Sequence, residues 1–294
     1  MAGRFGTLVT AMVTPFKDDG SLDLDRATET AAWLLEHGTD ALVVTGSTGE
    51  AATLSDDEKV ALWRACSEVA TGDGKVIAGT GTYDTAHSAA LTRQADEAGV
   101  DGMLVVTPYY NKPPQRGLVE HFTAVAGATS KPVMVYNIPG RTGTRIEHDT
   151  LLRIAEVENI VAVKDSTGDL DGVSHLVAEA PTDFELYCGD DWATFAMMCA
   201  GARGLVSVAA HVVGERLKQM MELIEGGDVA GARKVHEELL PVFDALFITS
   251  NPIPLKAAME MLGRPVGPPR LPLVSATDDE RSRIRKALED AGVL

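Results

Sequence analysis

Only three cysteines occur in 294 residues, Cys66, Cys188 and Cys199, and none forms a Cys-x-x-Cys pair. Neither a disulfide framework nor a thiolate metal site is laid out. The seven histidines are scattered, with no His-Glu-x-x-His and no Cys/His cluster, so no metal site is read. Positive charge is scarce as well: 26 Lys and Arg against 43 Asp and Glu leave a net charge of -17. A surface of that sign repels phosphate backbones and anionic lipid, which argues against nucleic-acid and membrane partners. No run approaches the ~20 apolar residues of a membrane-spanning helix. Met1-Ala2-Gly3-Arg4-Phe5 holds no apolar signal-peptide core. The expected location is cytoplasmic, where reduced cysteines also fit. No internal repeat of roughly 20 to 50 residues and no low-complexity linker is present.

What the chain does contain is a soluble globular balance, 45% hydrophobic and 23% charged, arranged as apolar runs alternating with amphipathic segments. The runs 8–13, 41–44, 76–78, 103–106, 133–136, 160–163, 184–187 and 204–208 read as strands. Between the first two, Leu24, Ala27, Ala31 and Leu34 share one helical face, with Gly38 as its terminator. Ser55-Asp56-Asp57-Glu58 is a capping box opening a helix that stops near Gly72. Asp84 caps another that ends at Gly99, and residues 115–126 form a further one. Eight short strands, each followed by a helix, predict a (β/α)8 TIM barrel over residues 1–225. An open doubly wound sheet uses the same alternation and is the alternative. Beyond Gly214 the strand signal stops, and residues 226–294 read as a C-terminal helical extension packed on the barrel.

The barrel reading directs attention to residues just past each strand, where active sites of this fold assemble. Of ten lysines, only Lys164 ends a buried apolar run, Ile160-Val161-Ala162-Val163. Burial of a lysine disfavours its ammonium and leaves more of the neutral amine that attacks carbonyls, the chemistry of a Schiff-base lysine. A strand-end lysine paired with Asp165 accounts for the same stretch. After the second strand, Thr45-Gly46-Ser47-Thr48-Gly49-Glu50 offers backbone N–H groups and two hydroxyls to a carboxylate; an ordinary turn has the same composition. Gly79-Thr80-Gly81 lacks the third glycine of a dinucleotide fingerprint. The fourth strand delivers Tyr109 and Tyr110, the fifth Tyr136 and Arg141, the seventh Gly189-Asp190-Asp191. A lysine nucleophile, phenols and hydroxyls to move protons, and an arginine to grip a carboxylate compose a metal-free aldolase site.

Gly46-Ser47-Thr48-Gly49-Glu50, Thr107-Pro108-Tyr109-Tyr110-Asn111-Lys112-Pro113, Tyr136-Asn137-Ile138-Pro139-Gly140-Arg141-Thr142-Gly143, Val163-Lys164-Asp165 and Asn251-Pro252-Ile253-Pro254 resemble, in order and over nearly the whole chain, the 4-hydroxy-tetrahydrodipicolinate synthase (dihydrodipicolinate synthase) family. The glycine turn and Lys164 are shared with relatives such as N-acetylneuraminate lyase; the Tyr-Tyr-Asn-Lys-Pro loop and Arg141 are the more specific marks. The resemblance implies condensation of pyruvate with L-aspartate 4-semialdehyde, with no cofactor beyond an imine on Lys164. It assigns Tyr136 to proton transfer, linked to water through Ser47 and Tyr110. Thr48 and backbone near Val206 would hold the pyruvate carboxylate, Arg141 that of the semialdehyde, and Gly189 completes the substrate-binding set. It also implies a homotetramer of two tight dimers in which Tyr110 reaches its neighbour's site. Ser47 departs from the threonine usual there, keeping the hydroxyl but losing the rotamer-fixing methyl. Where some members bind feedback L-lysine, this chain presents Lys59, Tyr83 and His87 beside Tyr109, a set that implies insensitivity. A 2-keto-3-deoxy sugar acid aldolase or N-acetylneuraminate lyase is the rival activity, and a non-catalytic ligand-binding protein on the same fold the rival class.

Overall fold

The apolar runs are short, rich in β-branched residues and bounded by turn residues, a composition suited to parallel strands covered on both faces. In the computed structural model of the protein, which describes residues 3–294, they pair as β1 (Leu8–Ala11), β2 (Ala41–Val44), β3 (Lys75–Gly79), β4 (Gly102–Val106), β5 (Val133–Asn137), β6 (Ile160–Asp165), β7 (Glu185–Cys188) and β8 (Gly204–Ser207). All neighbours are parallel, the spatial order follows the chain, and β8 closes on β1. The sheet is therefore a closed (β/α)8 TIM barrel, and the open-sheet alternative is excluded. Met1 and Ala2 of the N-terminal stretch lie outside the described residues.

Helices 24–36, 56–69, 85–97, 115–126, 148–155, 170–179, 194–199 and 210–225 follow the eight strands in turn. Their starts obey local chemistry. The Ser55 hydroxyl accepts from Glu58 N–H while the Glu58 carboxylate accepts from Ser55 N–H, and Asp84 accepts from Ala86 and His87 N–H. Helices 229–246, 253–261 and 278–290 form the C-terminal extension, packed on helix 210–225 and on one another.

Side chains alternate across the strands. Val9, Ala41, Val43, Ile77, Met134 and Ala162 fill the barrel interior, while Leu8, Leu42, Val76, Val135 and Val163 pack outward under the helices. Three boundaries differ from the sequence reading. The first strand stops at Ala11 rather than Val13, because Val13 N–H leaves the ladder and donates to His211 Nε2 at 3.2 Å. Lys164 lies within β6 rather than after it, since the β5–β6 ladder continues through Tyr136 opposite Lys164 and Asn137 opposite Asp165. The Pro/Gly segment after β5 contains a one-turn helix, Pro139–Thr142, closed by Gly143 in the left-handed region at φ 68°.

His211 is fully buried between the ends of β1 and β8. Its Nδ1–H donates to Val208 O at 2.9 Å and its Nε2 accepts from Val13, so both nitrogens serve the neutral ring. Burial depresses its pKa to about 4, and burial does the same to His121, also to about 4. Against an unfolded value of ~6.5, the folded state binds fewer protons between these limits, so stability present above pH 6.5 is lost as pH falls toward 4. Urea unfolding should show a loss on the order of 2 kcal/mol per histidine between pH 7 and pH 5, and His211→Gln should flatten that fall. A pH-independent unfolding free energy across this window would contradict the neutral, buried assignment.

Candidate active site

The C-terminal ends of β2 to β5 open on a cavity of about 350 Å³ whose wall includes Ser47, Tyr109, Tyr136, Arg141, Thr82 and, from the C-terminal extension, Asn251. Lys164 and Thr48 are buried beside it rather than part of its wall, 5% and 3% exposed. β6 sets the lysine's direction: Ala162 faces the interior, and Lys164, two residues on, follows it. Its neighbours in register are Tyr136 on β5 and Tyr187 on β7, and its Nζ sits 4.1 Å from the centroid of the Tyr136 ring. The Tyr136 carbonyl is fixed by two bonds from Thr107, N–H at 3.0 Å and hydroxyl at 2.7 Å.

Asp165 does not pair with Lys164. Its carboxylate accepts from the N–H and hydroxyl of Thr167, at 3.0 and 2.7 Å. Among the described residues neither Lys164 nor Arg141 forms an ion pair. Arg141 is exposed on its one-turn helix. Two carboxylates lie near the lysine on the β7 side. Burial pushes Asp190 and Asp191 above the ordinary aspartate range, with the Lys164 charge pulling both back down. Asp191 is wholly enclosed; it accepts from the Ser207 hydroxyl and from Val208 and Ala209 N–H at 3.1 and 3.2 Å. It thus clamps the turn that follows Val206, a role that the sequence reading did not assign.

The turn after β2 is strained. Thr45 and Glu50 have φ of 63° and 54°, a region costing roughly 1 to 3 kcal/mol per non-glycine residue. Trp63 Nε1–H holds the Thr45 hydroxyl at 2.9 Å, and that hydroxyl donates to Gly79 O at 3.1 Å. Glu50 is held by Lys256 at 2.7 Å and by Arg270 N–H at 2.9 Å. Asn251 Nδ2–H donates to the Thr48 hydroxyl at 2.8 Å. Sequence reasoning missed Lys256, Arg270 and Asn251 as partners, each more than two hundred positions from the residue it holds. Gly79 and Gly81 have a packing role: a Cβ on Gly79 would lie 2.3 Å from Thr45 O, and one on Gly81 the same distance from Val106 N.

Tyr110 is the one predicted relay member that this chain does not bring to the cavity. It is 90% exposed at φ 73°, on a loop that Asn111 ties to Tyr83 O at 3.0 Å. Tyr109 faces inward, its ring edge-on to Tyr83 at 5.4 Å, and burial raises its phenol pKa. Beside it Lys59 is buried, 3.4 Å from Asp56, whose other oxygen meets His87 Nε2 at 2.8 Å. Desolvation would raise the Asp56 pKa, but the His87 bond and the Lys59 charge outweigh it and hold the carboxyl low.

The model of the dihydrodipicolinate synthetase family matches residues 4–291. The chain belongs to that family. A 4-hydroxy-tetrahydrodipicolinate synthase of Moorella thermoacetica is 51% identical over 99% of this chain and all of its own length. Among solved structures, the dihydrodipicolinate synthase of Cyanidioschyzon merolae with lysine bound superposes with a TM-score of 0.98 at 42% identity, covering 99% of this chain and 100% of that one. A monomeric dihydrodipicolinate synthase variant gives 0.96 at 38%, covering 99% and 98%. As a dihydrodipicolinate synthetase family member the chain is an enzyme, and its rival as a mere binding protein falls away.

Gly189 is the close neighbour of the lysine stem. A Cβ there would meet the Ser166 hydroxyl at 2.0 Å and stand 3.0 Å from Lys164 Cε and 3.1 Å from Asp165 O, so a side chain must push Ser166 aside and crowd the lysine stem. Gly189→Ala should lower kcat/KM roughly 100-fold, the scale of a 1 Å misplacement of a reacting group, with thermal unfolding recorded alongside. Wild-type turnover would show that the lysine has slack.

Proposed function

We propose that Lys164 carries the reaction of this family, the condensation of pyruvate with L-aspartate 4-semialdehyde to 4-hydroxy-tetrahydrodipicolinate at the entry to lysine and diaminopimelate synthesis. The supporting observation is a buried amine, without an ion-pair partner among the described residues, stacked on the Tyr136 ring at the mouth of a barrel. The Lys164 amine adds to the pyruvate ketone and water leaves, giving an imine. Loss of a methyl proton makes the enamine, whose carbon attacks the aldehyde; the amine of the semialdehyde then adds to the imine carbon, closes the ring and expels the Lys164 amine. Tyr136, next to the nitrogen, moves these protons, with Ser47 and a partner's tyrosine at the position of Tyr110 completing the relay. Thr48, with backbone near Val206, receives the pyruvate carboxylate; Gly189 leaves room for the adduct. Arg141, exposed at the rim, meets the second carboxylate through its planar fork. The reading uses an imine in place of any bound cofactor. It includes a cytoplasmic location; among the described residues no helix is long and apolar enough to cross a membrane.

The protruding Tyr110 loop supports an assembly of tight dimers pairing into a tetramer. Sedimentation measures that state directly, and the monomeric variant among the relatives makes the measurement worthwhile. Borohydride reduction with pyruvate should place a pyruvate-derived mass on the peptide containing Lys164; a label on Lys112 or Lys256 instead would sink the assignment. Turnover across aldehyde acceptors separates the semialdehyde reading from the sugar-acid rivals.

The same reading extends to feedback. The Cyanidioschyzon merolae relative has lysine bound; in the crevice beside Tyr109 the Lys59 ammonium of this chain already pairs with Asp56, whose other oxygen meets His87, and Tyr83 fills space against Tyr109. A second ammonium would meet like charge and no free carboxylate. Initial rates at subsaturating pyruvate should be unchanged by millimolar L-lysine. Saturable inhibition would show that the crevice still binds it.

A further inference from the structure

Asn251 belongs to the C-terminal extension, yet its side chain lies in the cavity wall, 6% exposed. Among the described residues that side chain makes a single hydrogen bond, from Nδ2 to the Thr48 hydroxyl, while Oδ1 is buried without a partner. Thr48 in turn is 3% exposed, and its hydroxyl proton reaches no protein acceptor among the described residues. A hydroxyl has one proton and two lone pairs. With one lone pair taken by the amide, the proton must point away from Asn251, and a hydroxyl that is accepting a bond is polarised into a better donor.

We infer that Asn251 is a positioning residue for the first substrate: its amide fixes the Thr48 hydroxyl so that the proton is presented to the carboxylate of a 2-oxo acid. A brace between the extension and the β2 turn is the structural role to weigh against this. That brace is already supplied by charged contacts, Glu50 to Lys256 at 2.7 Å, Glu50 to Arg270 N–H at 2.9 Å, and the Arg270 guanidinium on Glu58. One neutral bond adds little to them, whereas it alone governs the direction of the Thr48 proton.

The inference rests on the Lys164 reading, so the test uses borohydride labelling of the whole protein at graded pyruvate, followed by intact mass, without the second substrate. Asn251→Ala should raise the half-saturating pyruvate concentration roughly tenfold, the value of a hydrogen bond to a charged group, with full labelling at high pyruvate. Thr48→Val should raise it similarly, and the double variant no further than the larger single change. Asn251→Asp, close in shape but able only to accept, should turn the Thr48 proton back and raise it at least as much; it also serves should the alanine variant not fold. A half-saturation equal to wild type in both Asn251 variants, or single effects that multiply in the double variant, would overturn the inference while leaving Lys164 in place. A wild-type protein that takes no label removes the Lys164 reading and this inference together.

Discussion

The ion pair between Glu50 and Lys256 holds two distant parts of the chain in one geometry. Both side chains are almost wholly enclosed, 1% and 4% exposed, with nitrogen and oxygen 2.7 Å apart. Burial pushes the Lys256 ammonium below its ordinary pKa even with Glu50 beside it. Removing either partner strands a charge in the interior at a cost of about 3 to 5 kcal/mol. The pair fastens the C-terminal extension to the β2 turn at Glu50, a residue whose positive φ is itself unfavourable. Lys256 also lies 4.5 Å from the Phe16 ring, and Arg270 stacks on the same ring at 4.2 Å while gripping Glu58. The barrel rim and the extension therefore act as one rigid unit, and the hydroxyls of Ser47 and Thr48 are carried by it.

That rigidity matters because the site must work against the charge of the molecule as a whole. A net charge of -17 repels anionic pyruvate and the carboxylate end of the zwitterionic semialdehyde, and specific cations must offset it. Several cations are already engaged elsewhere: Lys218 with Asp40, Arg145 with Asp169, Arg216 with Glu238. Lys164 and Arg141 remain available at the mouth of the barrel. Behind Lys164, burial raises the carboxyl groups of Asp190 and Asp191, so the lysine sits among acids that are less readily ionised than ordinary aspartates. Asp191 meanwhile ties down the turn after β8 through three donors, which fixes the backbone near Val206 relative to the lysine.

Several residues have a clear chemical identity but a role that only packing reveals. Gly79 and Gly81 look like part of a phosphate loop, yet their purpose is to let the ends of β2, β3 and β4 approach more closely than any Cβ permits. Asp165 looks like a counter-ion for its neighbour, yet adjacent residues on a strand point to opposite faces, and the carboxylate turns outward to Thr167. Lys59 looks like an exposed helical lysine, yet it is buried against Asp56 in the crevice beside Tyr109.

The sequence by itself determined the eight-fold alternation, the helix starts at Ser55 and Asp84, the place of Lys164 at the end of the sixth apolar run, and the family signature around Tyr110 and Arg141. These are local patterns, set by the period of a strand or a helix and by capping chemistry within a few residues. The tertiary structure alone decided which groups meet across the barrel: Lys164 with the Tyr136 ring, Asp191 with the turn after β8, Glu50 with Lys256, and Asn251 with Thr48 across 203 positions. No periodicity links partners so far apart, and polar residues of the same types recur throughout the chain. Closure of the barrel brings the strand ends to one mouth, and the packing of the extension against it selects the pairs that can bury their polar atoms with a partner in reach.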